Sequence, residues 1–247
     1  MVYLGLALFG VWCLVYPLTD YYIRYLAPGI IRRGCLTDKQ VCLTFDDGPD
    51  SQVTPRILDI LREVGIPAVF FMIGAKAANQ PELVRQILAA GHELGSHTLW
   101  HRHAYFLGGK KSITTISKGK EVLEAIAQKP VIWFRPPWGA LNLFQYLTLL
   151  RLKLSIVLWT VNAQDWNIKT GATEVCRRIK RRVKPNSIII LHDSGGDPGA
   201  PQQTLMALPD IIKALTEKGY RFVTLHDILG GNKYESSADF KKIWRGN

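Results

Sequence analysis

The sequence predicts an α/β protein, a distorted (β/α) barrel of about seven strands preceded by an N-terminal hydrophobic helix, and three observations carry that prediction. From Lys39 onward short apolar runs alternate with longer amphipathic stretches, the pattern of parallel strands joined by helical crossovers. No Pro/Ser-rich linker or internal repeat interrupts the alternation, so most of the 247 residues are read as one catalytic-sized domain. Polar and ionisable residues gather after the strands rather than before them, which favours a barrel with one active face over an open, doubly wound sheet.

The elements follow in order. Residues 1–18 carry no charge before Asp20 interrupts, a stretch just long enough to span a bilayer, for which about 20 apolar residues are needed. No Lys or Arg precedes it and no A-x-A-like cleavage site follows, so it reads as a retained anchor. Tyr16, Tyr21, Tyr22 and Tyr25 suit an interfacial belt, whereas Arg24, Arg32 and Arg33 oppose an outward-facing domain. The alternative is an N-terminal helix packed on the domain. The plan is then residues 1–33 as anchor and juxtamembrane segment, and 34–247 as the catalytic domain. Strands are predicted at 41–45, 68–73, 93–96, 131–134, 155–160, 187–191 and 221–224, and helices at 53–64, 81–90, 113–127, 143–152, 173–183 and 204–218. Pro81 suits a first helical turn, and Gly65, Gly91 and Gly219 each fall just past a helix end.

Lys plus Arg number 31 against 20 Asp plus Glu, a net charge of +11 that favours an anionic polymer or surface. No RNP-like or helix-turn-helix pattern accompanies it, and Arg177, Arg178, Lys180, Arg181 and Arg182 read as one solvated helix face, so nucleic acid is set aside. Hydrophobic residues at 47% and charged residues at 21% exclude wholesale disorder. Cys13, Cys35, Cys42 and Cys176 form no CxxC pair, which argues against a thiolate zinc site. The three outside the leader are an odd number, which argues against a disulfide framework.

Five strand ends carry candidate chemistry. Thr44-Phe45-Asp46-Asp47-Gly48-Pro49 offers two adjacent carboxylates that can divide metal binding and proton transfer, although Asp-Asp-Gly-Pro alone equally describes a turn. In Gly95-Ser96-His97-Thr98-Leu99-Trp100-His101, the two histidines at i and i+4 share one face of a helical turn, about 5–6 Å apart at Cβ and within reach of one ion. His103 points away from that face and His92 begins its strand at the wrong end, so both are read as structural. Phe134-Arg135-Pro136-Pro137-Trp138-Gly139 holds a cation that can grip a carboxylate beside an indole that can stack on a sugar, or else a surface salt bridge beside a core tryptophan. Asn162-Ala163-Gln164-Asp165-Trp166 follows the fifth strand and Leu191-His192-Asp193 the sixth, where a histidine beside a carboxylate suits a general acid.

This ordered set resembles the five motifs of the polysaccharide deacetylases, the NodB-like carbohydrate esterases of family 4, over residues 41–229. The resemblance implies a distorted (β/α) barrel and removal of N- or O-acetyl groups from a polysaccharide such as peptidoglycan or chitin. It also implies one divalent metal ion, Zn2+ foremost, with Co2+, Ni2+ or Mn2+ as alternatives. Carried onto this chain, it makes Asp47, His97 and His101 the metal ligands, Asp46 the general base, His192 the general acid and Arg135 the residue that holds Asp46. Pro137, Trp138, Trp166 and Leu191 would line the substrate. The family's fourth motif is commonly Asp-x-x-Asp-Trp, and here it begins with Asn162, so any carboxylate support for His192 or Arg135 falls to Asp165. Two other readings stand beside the deacetylase: a barrel metallohydrolase acting on a small non-glycan amide, and a catalytically silent glycan-binding module. The complete set of metal and acid/base residues counts against the second. The expected partners are an acetylated glycan and, through the leader, the cell membrane, with a monomeric domain on its extracytoplasmic side.

Overall fold

The computed structural model describes residues 17–27, 29–35 and 38–231. Nine strands form one sheet in the order β1-β6-β5-β4-β3-β2-β8-β7, with β9 also paired to β2, and every ladder is parallel. The strands are β1 (Ile30–Ile31), β2 (Gln40–Asp46), β3 (Val69–Met72), β4 (Glu93–Ser96), β5 (Trp133–Phe134), β6 (Ser155–Val157), β7 (Val161–Asn162), β8 (Ser187–His192) and β9 (Arg221–Phe222). The helices are α1 (Thr54–Glu63), α2 (Gly74–Asn79), α3 (Pro81–Ala89), α4 (Gly109–Ala127), α5 (Leu143–Arg151), α6 (Ala172–Arg182), α7 (Ala200–Glu217) and α8 (Leu225–Ile228).

The sheet is curled, and its two faces are packed differently. Side chains alternate along a strand, so Val41, Leu43 and Phe45 of β2 pack outward with Ile57 and Leu61 of α1 and Leu208 and Ile211 of α7. Cys42 of the same strand joins Val69, Phe71, Trp133, Val157 and Ile188 inside the curl. Burial on both faces explains why the β2 sequence reads as an almost unbroken apolar run. Gly95 belongs to the interior set, and a Cβ there would lie 2.3 Å from the Phe71 ring, so only glycine lets that ring lie across the barrel.

The predicted strand at 155–160 divides. β6 pairs with β5, β7 pairs with β8, and residues 158–160 carry the chain from one to the other. The gap between β6 and β8 is filled from outside by residues 30–34: β1 ladders onto β6, Arg33 bridges Ser187, and the Gly34 N–H donates to the Asn186 carbonyl. Residues up to 33, set apart from the domain in the sequence reading, therefore contribute here to its sheet. Ile23 is buried with Leu149, Leu154 and Ile156, and Asp20 accepts from the Leu141 N–H at 3.0 Å, so the segment lies against α5. The proposed anchor itself falls mainly on residues 1–16, outside the described residues. None of the described helices is long and apolar enough to cross a membrane.

Candidate active site

Each catalytic candidate sits at or just past the C-terminal end of a strand, which in a parallel barrel brings them to one face. β2 and β8 are in register with Asp46 opposite His192, and both lie on the inward-pointing alternation. They open into a cleft of about 720 Å3 lined among others by Asp47, Lys76, His97, His101, Trp138 and Trp166.

Asp47, His97 and His101 converge: one ligand atom from each lies within 4.8 Å of the others. His97 Nε2 is 3.3 Å and His101 Nε2 3.0 Å from Asp47 Oδ1, yet that buried oxygen has no hydrogen bond of acceptable geometry. His97 Nδ1 lies 2.6 Å from the Arg135 carbonyl, to which it donates, which leaves Nε2 as a lone pair directed at the cluster. Lone pairs collected around a common point rather than bonded to each other are what a divalent cation requires, so these residues fit a metal ion. Burial alone would push the Asp47 carboxyl up, but the His101 and His97 imidazoles outweigh it and hold the group well below the usual carboxylate range.

The two histidines do not share a helical turn as the i, i+4 spacing predicts. Residues 97–101 form a turn in which Thr98 (φ 68°) and His101 (φ 46°) are left-handed, and the His97 N–H donates to the Met72 carbonyl. The rings nevertheless come together, with centroids 4.9 Å apart. Asp47 (φ 73°), Trp138 (φ 55°) and Gln164 (φ 59°) are also left-handed. Such non-glycine conformations cost about 1–3 kcal/mol each, and here they gather in the strand-end loops that aim the site's side chains. Gly195 (φ 73°) closes on this cluster from the β8 side, where a Cβ would lie 2.4 Å from Asp47 Oδ2.

Arg135 is fully buried in the barrel axis rather than forming a surface salt bridge. Its Nη1 donates to Asp46 Oδ1 and to Thr44 Oγ1, both at 2.6 Å. Its Nε and Nη2 donate to the Val157 and Leu158 carbonyls at 3.2 Å, and the guanidinium lies 4.0 Å over the Phe71 ring. Burial pulls its pKa down and Asp46 opposes that shift. Asp46 Oδ2, the oxygen Arg135 leaves free, lies 3.9 Å from His97 Nε2 and so faces the metal cluster.

His192 Nδ1 lies 2.9 Å from Asp165 Oδ1, while Asp165 Oδ2 accepts from the His192 N–H at 2.7 Å and from Thr204 Oγ1 at 2.8 Å. Burial lowers the imidazole pKa, but Asp165 and then Asp46 and Asp47 overcome it and raise the value to about 9. The charge support that Asn162 does not supply therefore comes from Asp165, with Asn162 itself capping the Gln164 N–H at 2.7 Å.

Of the predicted substrate residues, Trp138 (54% exposed) and Trp166 (39%) form walls of the cleft. Pro137 is buried in the turn behind Trp138. Leu191 is corrected: alternation turns it outward into the helix-facing core, and Ile190 lines the cleft instead. The sequence reading missed Lys76, whose Nζ donates to the Asp47 carbonyl at 2.8 Å and to Ser194 Oγ at 2.7 Å. It also missed Asp193 as a buried support, bound to Thr54 Oγ1 at 2.5 Å and pressed against Gly48. Burial, with a smaller push from Asp47, raises the Asp193 pKa to about 7.

A family model described as polysaccharide deacetylase matches residues 33–151. A peptidoglycan-N-acetylglucosamine deacetylase of Bacillus cereus is 37% identical over 194 residues, 78% of this chain and 89% of the relative. The chain belongs to the polysaccharide deacetylase family. Another relative, a chitooligosaccharide deacetylase of Sinorhizobium fredii, is 34% identical over 188 residues, 73% of this chain and 87% of the relative. The crystal structure of the Bc1960 peptidoglycan N-acetylglucosamine deacetylase superposes with a TM-score of 0.78 at 31% identity, covering 85% of this chain and 96% of that one. A CE4 family pseudoenzyme from Bacillus anthracis also superposes, with a TM-score of 0.73 at 26% identity, over 82% of this chain and 69% of the other. Membership of the polysaccharide deacetylase family thus fixes the barrel and the hydrolase class, while the roles of individual residues rest on the site's geometry. The match to the family model ends before Asp165 and His192, so for that pair geometry is the main support.

Proposed function

We propose that this protein hydrolyses the acetamide of N-acetylated sugars in a peptidoglycan- or chitin-type strand, with Zn2+ held by Asp47, His97 and His101. One observation carries the reading: Asp46 and His192, side by side on registered strands, are prepared for opposite proton tasks within reach of one metal-ligand cluster. A divalent ion there lowers the pKa of water and polarises a carbonyl. Asp46 Oδ2 takes the proton of the attacking water, while Arg135 fixes Oδ1 so that this oxygen stays turned towards the cluster. His192, kept charged by Asp165, gives a proton to the departing sugar nitrogen. Trp138 and Trp166 offer apolar faces to the rings of the strand.

Acetate release from a panel of acetylated glycans, together with metal content, tests the reading. A His97→Ala, His101→Ala double variant is expected to lose bound metal and turnover together. Full metal occupancy in that variant would remove the ligand assignment, and no release from any glycan would remove the activity.

His192 acts protonated, so kcat/KM should fall on an alkaline limb at or below about pH 9 and above the ordinary histidine value of about 6.5. A cation bound by Asp47 weakens part of the negative field on the imidazole, but Asp165 remains. The stabilisation that the raised pKa represents is fully present below pH ~6.5 and is lost as pH rises through about 9. Asp165→Asn should move the limb down towards 6.5, and an unmoved limb would show that Asp165 does not set it.

The membrane tether, the extracytoplasmic location and the monomeric state belong to the same proposal. They are supported by the uncharged leader and by Tyr21, Tyr22 and Tyr25, which are exposed where the chain meets the domain. Protease shaving of intact cells tests the orientation, because an outward-facing domain is digested without lysis.

A further inference from the structure

A second cavity, of about 670 Å3, adjoins the cleft and shares a wall with it, because Trp100 lines both. Its other walls are Arg102, Leu107, Lys110, Lys111, Thr114 and Thr115, so it has three cations and no acid. All three cations are exposed to solvent. Among the described residues, none of Arg102, Lys110 and Lys111 has a carboxylate within ion-pair distance, whereas Lys118 and Lys120 further along α4 pair with Glu121 and Glu124. The basic run on α6 is also different: Arg177 and Arg178 hold Glu174, and Arg178 and Arg182 donate to the carbonyls of Ala163 and Asn162. Those arginines belong to the framework, while the three beside Trp100 are left free to meet something else.

Their position also runs against local preference. Lys110 and Lys111 occupy the first turn of α4, which contains no acid, and cations there are opposed by the helix dipole. Locally unfavourable charges at a cavity next to an active cleft are accounted for when a ligand brings the opposite charge. Arg102 can grip a carboxylate with two parallel N–H groups, and the lysines add mobile point charges. Leu107, the lysine stems and the Trp100 indole give the same cavity an apolar floor. A small acidic peptide or lactyl ether has this combination of carboxylate and short apolar side chains, and a neutral sugar has no charge to offer.

We propose that this cavity is a subsite for a carboxylate-bearing substituent on the sugar next to the one deacetylated, and that it selects acidic, peptidoglycan-type strands over neutral chitin-type ones. The proposal rests on the deacetylase reading above for the strand that enters the cleft. Its test compares the wild type with Lys110→Gln, Lys111→Gln and with Arg102→Gln, Lys110→Gln, Lys111→Gln, all at exposed positions, on a chitin oligomer and on a muramoyl-peptide strand of equal length. On the acidic strand kcat/KM is expected to drop about 10-fold, through KM, as several exposed charge contacts are removed. On the neutral strand it should stay level, and about 0.5 M salt should shrink the wild type's preference. Equal losses on both strands, or no loss on the acidic one, would overturn the proposal. A second measurement does not need turnover: titration with muramoyl dipeptide should shift the backbone amide NMR signals of residues 100–115 in the wild type and not in the triple variant. If that selective shift appears but no strand releases acetate, the deacetylase reading fails and the anion subsite stands. If acetate is released but the shift is absent, the subsite fails.

Discussion

Arg135→Met is expected to destabilise the fold by about 3–5 kcal/mol, the cost of leaving a buried charge without its partner. The guanidinium is fully buried and Asp46 is 2% exposed, so water cannot replace the lost contact. The pair itself need not be a large net source of stability, because two charges were desolvated to make it. An Arg135→Met, Asp46→Leu double variant should therefore recover most of the lost stability and none of the activity. Denaturant midpoints of the single and double variants check this, and a double variant as unstable as the single one would mean that Arg135 supports the barrel through its Val157, Leu158 and Phe71 contacts instead.

Asp46→Asn is expected to lower kcat by about 10²–10⁴-fold, the usual contribution of a positioned general base. Asparagine keeps the shape and an acceptor for Arg135 but does not take the proton. Metal content should be unchanged, because Asp47, His97 and His101 are untouched. A loss smaller than ~10-fold would assign the proton to another group.

Much of this arrangement was legible because barrel strand ends must converge. Once β2, β4 and β8 were placed, Asp46, His97 and His192 had to meet, even though the turn at 97–101 is not helical. The sequence was less informative where long-range partners decide the outcome. Arg135 reads as a surface residue before two prolines, and its burial depends on Asp46, 89 positions away. β1 is only two residues long and is a strand because β6 lies beside it, so no local period marks it. Lys76 was missed because its helix, Gly74–Asn79, is too short to show an apolar stripe. Leu191 was carried over by likeness to a motif, and alternation along β8, which sends His192 inward, turns it away.

The break between β6 and β7 has a consequence for the chemistry. In an uninterrupted barrel the carbonyls of every strand are committed to their neighbours, and the lumen offers an ionised group nothing to bind. Here the chain leaves β6 at Val157 and joins β8 only from Thr160 onward, and in that interval the carbonyls of Val157 and Leu158 turn to Arg135. They stand in for a hydration shell. The irregularity in the sheet is thus what allows a permanent positive charge to sit on the barrel axis, dry and fixed, beneath the carboxylate it orients.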